Sequence, residues 1–141
     1  RELEVAGAEQ RQVDLELQEP SSAVITTDAD SLTQILLNLI ENAIAYTDHG
    51  LVEVALVEQE DEICITVADS GPGIAPEQLS AIFEPFFRAD PSRQRQSGGV
   101  GLGLALAHEL TRLLGGELSA ANRAEGGAVF TLVLPEEHHT V

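Results

Sequence analysis

Lysine is absent from this 141-residue sequence, and all seven of its basic residues are arginines. A Walker-type phosphate-binding loop depends on a lysine that reaches the outer phosphates of a nucleotide, so that class of site is excluded. The sequence has 24 acidic residues and a formal net charge of -17. Nucleic-acid phosphates and anionic lipid would be repelled by this charge, which makes both poor candidate partners.

Cysteine and long apolar runs are also scarce. Cys64 is the one cysteine, so neither an internal disulfide nor a structural zinc site is possible, and a reduced cytoplasmic setting is expected. No run approaches the roughly 20 apolar residues that cross a bilayer, and the N-terminus lacks the pattern of a signal peptide. We therefore expect one compact domain spanning residues 1–141, without direct membrane contact.

Hydrophobic periodicity predicts strands and helices in a mixed order. We predict strands at 13–17, 23–25, 51–57, 63–68, 117–121 and 128–134, and helices at 31–46, 77–83 and 102–114. Residues 88–99 carry almost no apolar side chains, and we expect this loop to be mobile without a ligand. The expected fold is an α+β two-layer sandwich, in which about three helices cover one face of a mixed, mostly antiparallel sheet.

Two asparagines lie one helical turn apart on the first predicted helix. Asn38 and Asn42 point the same way, and Tyr46 follows one turn later. An amide oxygen can hold Mg²⁺ alongside phosphate oxygens, and a tyrosine ring offers a flat surface to a base. The alternative is that these are ordinary polar surface residues.

Asp69 lies where a predicted strand runs into a loop that contains Gly71 and Gly73. A carboxylate there can accept a hydrogen bond from the exocyclic amine of adenine, while glycines let the backbone approach the ligand closely. The same residues are also typical of an ordinary turn.

A glycine-rich segment, 98–104, opens the last predicted helix. Backbone amides at a helix N-terminus form an anion site without any side chain. A dinucleotide fingerprint is excluded, because a polar loop rather than a strand precedes the segment. Three of the seven arginines lie between 88 and 95, which indicates either an anion site or a chance cluster.

The order of these segments resembles the catalytic domains of sensor histidine kinases, in the GHKL superfamily. Residues 38–47 are similar to the family's N box, 69–74 to its G1 box, 82–88 to its F box and 99–104 to its G2 box. The resemblance covers nearly the whole chain and implies the Bergerat ATP-binding fold, with residues 88–99 as the ATP lid.

The resemblance also implies roles for individual residues. Asn42 would bind Mg²⁺, Tyr46 would lie against adenine, and Asp69 would accept from the adenine amine. The full set of nucleotide-contacting positions that it implies is Asn38, Asn42, Tyr46, Asp69, Gly71, Gly73, Ile74, Arg88, Arg93, Gly99, Val100, Gly101, Leu102 and Gly103. The positions that it implies for catalysis are Asn38, Glu41, Arg88 and Arg93, although Glu41 is equally well read as a solvated helix residue.

Two residues depart from the family pattern. Ala45 stands where members commonly have a lysine, and Val100 stands where Thr, Ser or Ala is frequent. The lost lysine removes one phosphate contact, so nucleotide affinity or turnover is expected to be low. Ala45 therefore keeps open a second interpretation, a degenerate nucleotide-sensing regulatory domain without phosphotransfer.

Asn38 separates the kinase interpretation from the hydrolases that share this fold. Those ATPases have a glutamate that activates water four residues before the Mg²⁺ asparagine. This chain has Asn38 at that position, and an amide cannot take the proton of an attacking water at neutral pH. A neutral histidine is already a nucleophile and needs no such base.

None of the four histidines has the setting of a phosphoacceptor, His108 included. We therefore expect the acceptor on a dimerisation domain upstream of Arg1. The partners implied by the resemblance are ATP, that acceptor domain, a response regulator and a second copy of a homodimeric parent. The parent is commonly membrane-anchored in this family.

Overall fold

The computed structural model describes the backbone of residues 13–17 and the chain at 28–45, 50–85, 87 and 102–135. Within these ranges the elements are β1 (Val13–Leu17), α1 (Ala29–Ala45), β2 (Gly50–Glu58), β3 (Glu62–Asp69), a 3₁₀ helix (Pro76–Gln78), α2 (Gly103–Leu113), β4 (Glu117–Asn122) and β5 (Ala128–Pro135). The strand expected at 23–25 lies outside the described residues.

The described strands form one mixed sheet in the order β1-β2-β3-β5-β4. β1 pairs with β2 in parallel, and the other three pairings are antiparallel. α1 packs against β2 and β3, while α2 packs against β4 and α1. The α+β two-layer sandwich expected from the sequence is therefore confirmed.

The core lies between the sheet and the helices. Every second residue of β3 is buried, namely Ile63, Ile65, Val67 and Asp69. The register places Val67 beside Val54 and Phe130, and Ile65 beside Leu132, so the inward faces of three strands form one apolar layer. Because the period is two residues, the same alternation that buries Val67 also directs Asp69 inward at the end of the strand.

Both long helices present an apolar stripe to this layer. In α1 the buried residues include Ile35, Leu39 and Ala43, a spacing of four residues that lies on one helical face. The carboxylate of Asp28 accepts from the backbone amides of Asp30 and Ser31 at 3.1 and 3.5 Å, which caps the helix start. α2 ends where Gly115 takes a φ of 82°, a conformation that favours glycine.

The helix expected at 77–83 is a three-residue 3₁₀ helix followed by turns. Its backbone hydrogen bonds all span three residues, from the amides of Gln78, Leu79, Ala81, Glu84 and Phe87. Such 3₁₀ turns are common in segments that are too short for a cooperative α-helix. Within the described residues, neither α-helix has the length and apolar character that crossing a bilayer requires.

Candidate functional site

Asp69 is the one carboxylate buried in the core of the described chain, with 3% of its surface exposed. Its Oδ1 accepts from the backbone amide of Gly71 at 2.9 Å and from that of Ala128 at 3.3 Å. None of the hydrogen bonds among the described residues uses Oδ2. Among the described residues the carboxylate is thus held through Oδ1, and a donor from a ligand could bond Oδ2.

The electrostatic setting of Asp69 favours a partner. Burial raises the pKa of this carboxyl above its ordinary value, while the amides of Gly71 and Ala128 and the charge of Arg123 act in the opposite direction. Arg123 donates to the backbone carbonyl of Asp69 at 3.0 Å and pairs with Glu125 at 3.0 Å. Because an ionised carboxylate is costly to bury, a hydrogen-bond donor from a ligand would stabilise it.

The hairpin between β4 and β5 lies directly against the end of β3. A Cβ added to Gly127 would lie 1.9 Å from the carbonyl oxygen of Asp69, and Gly127 has a φ of 91°. Only glycine fits this approach, since both the space and the backbone conformation exclude a side chain. The close contact brings the amide of Ala128 to the carboxylate.

The loop after Asp69 is held at both ends. Ser70 exchanges two hydrogen bonds with the backbone of Leu51, at 2.9 and 3.1 Å. At the far end the side chain of Asn122 bonds both backbone groups of Ile74. Gly71, Gly73 and Ile74, predicted as nucleotide contacts, therefore lie on a fixed loop beside Asp69.

Asn38 joins the first helix to the start of α2. Its Nδ2 donates to the carbonyl of Gly103 at 3.0 Å, and its Oδ1 accepts from Gln34 at 3.0 Å. The structure thus brings together two predicted site residues that are 65 positions apart in the sequence. The amide of Asn38 is neither an acid nor a base at neutral pH, and both of its ends are engaged within the protein.

Asn42 follows one turn after Asn38 and is half-buried, whereas Glu41 is exposed. Ala45, the position of the missing lysine, is buried at the last residue of α1. The described residues contain no group of three or more His, Cys, Asp or Glu side chains that could hold a metal ion. The half-buried amide of Asn42 offers a neutral oxygen, a donor that Mg²⁺ accepts alongside phosphate oxygens and water.

The F-box segment packs onto α2. The ring of Phe83 stacks on that of His108, with centroids 4.9 Å apart and an angle of 20° between the planes, and it meets Phe130 edge-on. His108, an exposed residue of α2, therefore packs its imidazole over the ring of Phe83.

Several predicted site residues lie outside the described residues: Tyr46, Arg88, Arg93, Gly99, Val100 and Gly101. The predicted lid, 88–99, lies outside them as well. Leu102 and Gly103, which follow it, are exposed at the start of α2.

Sequence reasoning missed Asn122, Arg123 and Gly127, three residues that hold the Asp69 loop. An asparagine, an arginine and a glycine after a strand are typical of any hairpin turn. Their local pattern therefore gives no sign that they contact Asp69 and Ile74, which lie about 50 residues earlier.

Known proteins are similar to this chain over most of its length. The family model described as "Histidine kinase-, DNA gyrase B-, and HSP90-like ATPase" matches residues 27–138. The sensor histidine kinase MtrB of Mycobacterium tuberculosis is 42% identical over 129 residues, which are 91% of this chain and 23% of MtrB. The chain therefore spans about a quarter of the length of that relative.

Solved structures agree with this relationship. Full-length ShkA in complex with AMPPNP superposes with a TM-score of 0.77 at 32% identity, covering 92% of this chain and 27% of ShkA. The nucleotide-free catalytic domain of the histidine kinase ThkA gives a TM-score of 0.77 at 26% identity, covering 92% of this chain and 84% of that domain. ThkA has also been solved in complex with the response regulator protein TrrA. The chain therefore belongs to the family of histidine kinase-, DNA gyrase B- and HSP90-like ATPases, and within it resembles the catalytic domains of sensor histidine kinases.

Proposed function

We propose that residues 1–141 form one ATP-binding domain that transfers the γ-phosphate of ATP to a histidine on a separate dimerisation domain of a sensor histidine kinase. The observation that carries the proposal is Asp69, a buried carboxylate fixed through Oδ1 by two backbone amides. Its second oxygen can accept from the exocyclic amine of adenine. A guanine would present a carbonyl at the same place, and two acceptors would then face each other.

The proposed nucleotide lies between the Asp69 loop, the C-terminal half of α1 and the start of α2. Asn42 would hold Mg²⁺ together with the phosphates, and the backbone amides at the start of α2 would bind phosphate oxygens. The ion would supply charge neutralisation between the phosphates. Tyr46 against adenine and Arg88 and Arg93 on the phosphates complete the proposed contacts.

Phosphotransfer to histidine is the reaction that this chain's own residues favour. The position that would need a carboxylate to activate water is held by Asn38, whose amide bonds Gln34 and Gly103. Water would therefore attack without a base from this position, whereas a neutral imidazole needs only an aligned phosphate. Glu41 is exposed on the same helix and is proposed only to orient water or the metal. A response regulator is the proposed acceptor of the phosphate after the histidine.

The first test is nucleotide binding by the 141-residue chain. Calorimetric titration with ATP should give saturable binding that is tighter with Mg²⁺ than without it. Asn42→Ala should remove most of the magnesium dependence, since it removes the amide oxygen proposed as ligand. Thr33→Ala, an exposed change on the same helix, is the matched control and should leave binding unchanged.

The second test is transfer of labelled γ-phosphate to an added dimerisation domain from the parent kinase. Label on the acceptor histidine supports the proposal. Tight ATP binding without label would instead support the nucleotide-sensing alternative, and the absence of any binding would refute both.

A further inference from the structure

Asn122, the last residue of β4, bonds a loop that is 48 positions earlier in the sequence. Its Oδ1 accepts from the backbone amide of Ile74 at 2.7 Å, and its Nδ2 donates to the carbonyl of the same residue at 2.7 Å. The side-chain amide therefore bonds Ile74 as a neighbouring strand would, with one donor and one acceptor.

The Asn122 side chain also lies close to Gly73. A Cβ added to Gly73 would lie 2.9 Å from Oδ1 of Asn122, and Gly73 has a φ of 84°. The loop conformation and the position of the asparagine are therefore matched to each other. Asn122 itself is exposed, so its contribution to burying the core is small.

The hairpin that carries Asn122 also holds the opposite end of the same loop. Ala128 donates to Oδ1 of Asp69, and Arg123 donates to the Asp69 carbonyl. Gly71, inside the loop, donates to the same Oδ1 at 2.9 Å. If Ile74 were released, Gly71 would lose its fixed place, and the direction of Oδ2 of Asp69 would be less well defined.

We propose that Asn122 is a positioning residue for adenine recognition, which fixes the 70–74 loop so that Asp69 and Ile74 meet the base in one geometry. This inference rests on the proposed function, because it assumes that Asp69 accepts from the adenine amine. Its physical basis is preorganisation: a loop that is already ordered loses less entropy when the nucleotide binds.

The test compares two nucleotides that differ by one group. ATP carries the exocyclic amine, and purine riboside triphosphate lacks it. Asn122→Ala should weaken ATP binding to the 141-residue chain by about tenfold, which corresponds to the net value of two hydrogen bonds. It should weaken binding of purine riboside triphosphate much less, so the ratio of the two dissociation constants should fall toward one. Ser119→Ala, an exposed change on the same strand, should leave both constants unchanged.

A double variant provides a second measurement. In an Asp69→Asn background the preference for ATP is already lost, so Asn122→Ala should not change the ratio further. If the role of Asn122 were purely structural, Asn122→Ala would weaken the binding of both nucleotides equally in either background. That result would overturn the inference. Unchanged ATP affinity in Asn122→Ala would overturn it while leaving the proposed function in place. A wild-type chain that binds neither nucleotide would remove the proposed function and the inference together.

Discussion

The two sides of the candidate site are held in different ways. On the hairpin side, residues 122–128 hold the end of β3 and its loop. The Ala128 amide and the Arg123 side chain both donate to Asp69, and the Gly127 backbone approaches Asp69 too closely for a side chain. On the helix side, the Asn38–Gly103 hydrogen bond links α1 to the start of α2, and Leu102 and Leu106 are exposed nearby. The comparison indicates that the proposed adenine end is rigid, because several bonds and a close backbone approach hold it, whereas the polar link described at the other end is one side-chain bond.

The largest loss of stability is expected when a side chain is added at Gly127, whose backbone lies against the Asp69 carbonyl. Gly127→Ala places a Cβ 1.9 Å from the Asp69 carbonyl in a backbone conformation that disfavours alanine. We expect a loss of about 3–5 kcal/mol in the free energy of unfolding, from strain and overpacking together. Urea denaturation followed by circular dichroism measures it.

Gly126→Ala is the matched control for that change. Gly126 has a φ of 108° but nothing within 4 Å of an added Cβ, so only the backbone cost of about 1–2 kcal/mol should remain. Equal losses in the two variants would show that the close approach to Asp69 does not affect stability. That result would contradict the inference that the hairpin side is rigid.

The next effect separates binding from stability at Asp69. In Asp69→Asn the amide oxygen still accepts from Gly71 and Ala128, but an amide nitrogen replaces Oδ2 and faces the adenine amine, donor against donor. ATP affinity should fall about a hundredfold, as measured by titration calorimetry. Without nucleotide, the variant should be at least as stable as the wild type at neutral pH.

The difference in stability between Asp69→Asn and the wild type should depend on pH. Burial raises the pKa of Asp69 in the folded chain, so folding favours the protonated form. The contribution of the Asp69 carboxyl to the free energy of unfolding is fully present below its ordinary pKa and is lost as pH rises through the raised pKa. The melting temperature of Asp69→Asn should therefore exceed that of the wild type at neutral pH, and the difference should shrink in acid. A difference that grew in acid would contradict the assignment.

The smallest effect tests the helix side. Asn38→Asp keeps the acceptor for Gln34 but turns a carboxylate oxygen toward the Gly103 carbonyl, so about 1–2 kcal/mol of stability should be lost. Exchange of the Leu106 amide, which bonds the Leu102 carbonyl at 2.9 Å, should become faster. Gln34→Ala removes only the exposed bond to Oδ1 and should cost about 0.5 kcal/mol or less. If Asn38→Asp changed neither quantity, the Asn38–Gly103 bond would not be the link between the helices.

Local patterns predicted most of the elements because each pattern has its own physical period. The alternation in β3 predicted a strand at 63–68, and the structure places it at Glu62–Asp69. The apolar stripe of the first helix predicted 31–46, against the observed Ala29–Ala45. At 77–83 the pattern was too short to choose between helix types, and the structure has a 3₁₀ helix followed by turns.

The amino-acid sequence was enough to predict the order of elements, to exclude a lysine-dependent phosphate loop and to place Asp69 at a strand end. These predictions were possible because periodicity, composition and turn chemistry are local properties. Which residues support that carboxylate depends instead on how the chain folds. The hydrogen bonds from Asn122, Arg123 and Ala128 join positions 48 to 59 residues apart, and such pairs come together only when the sheet has set its register.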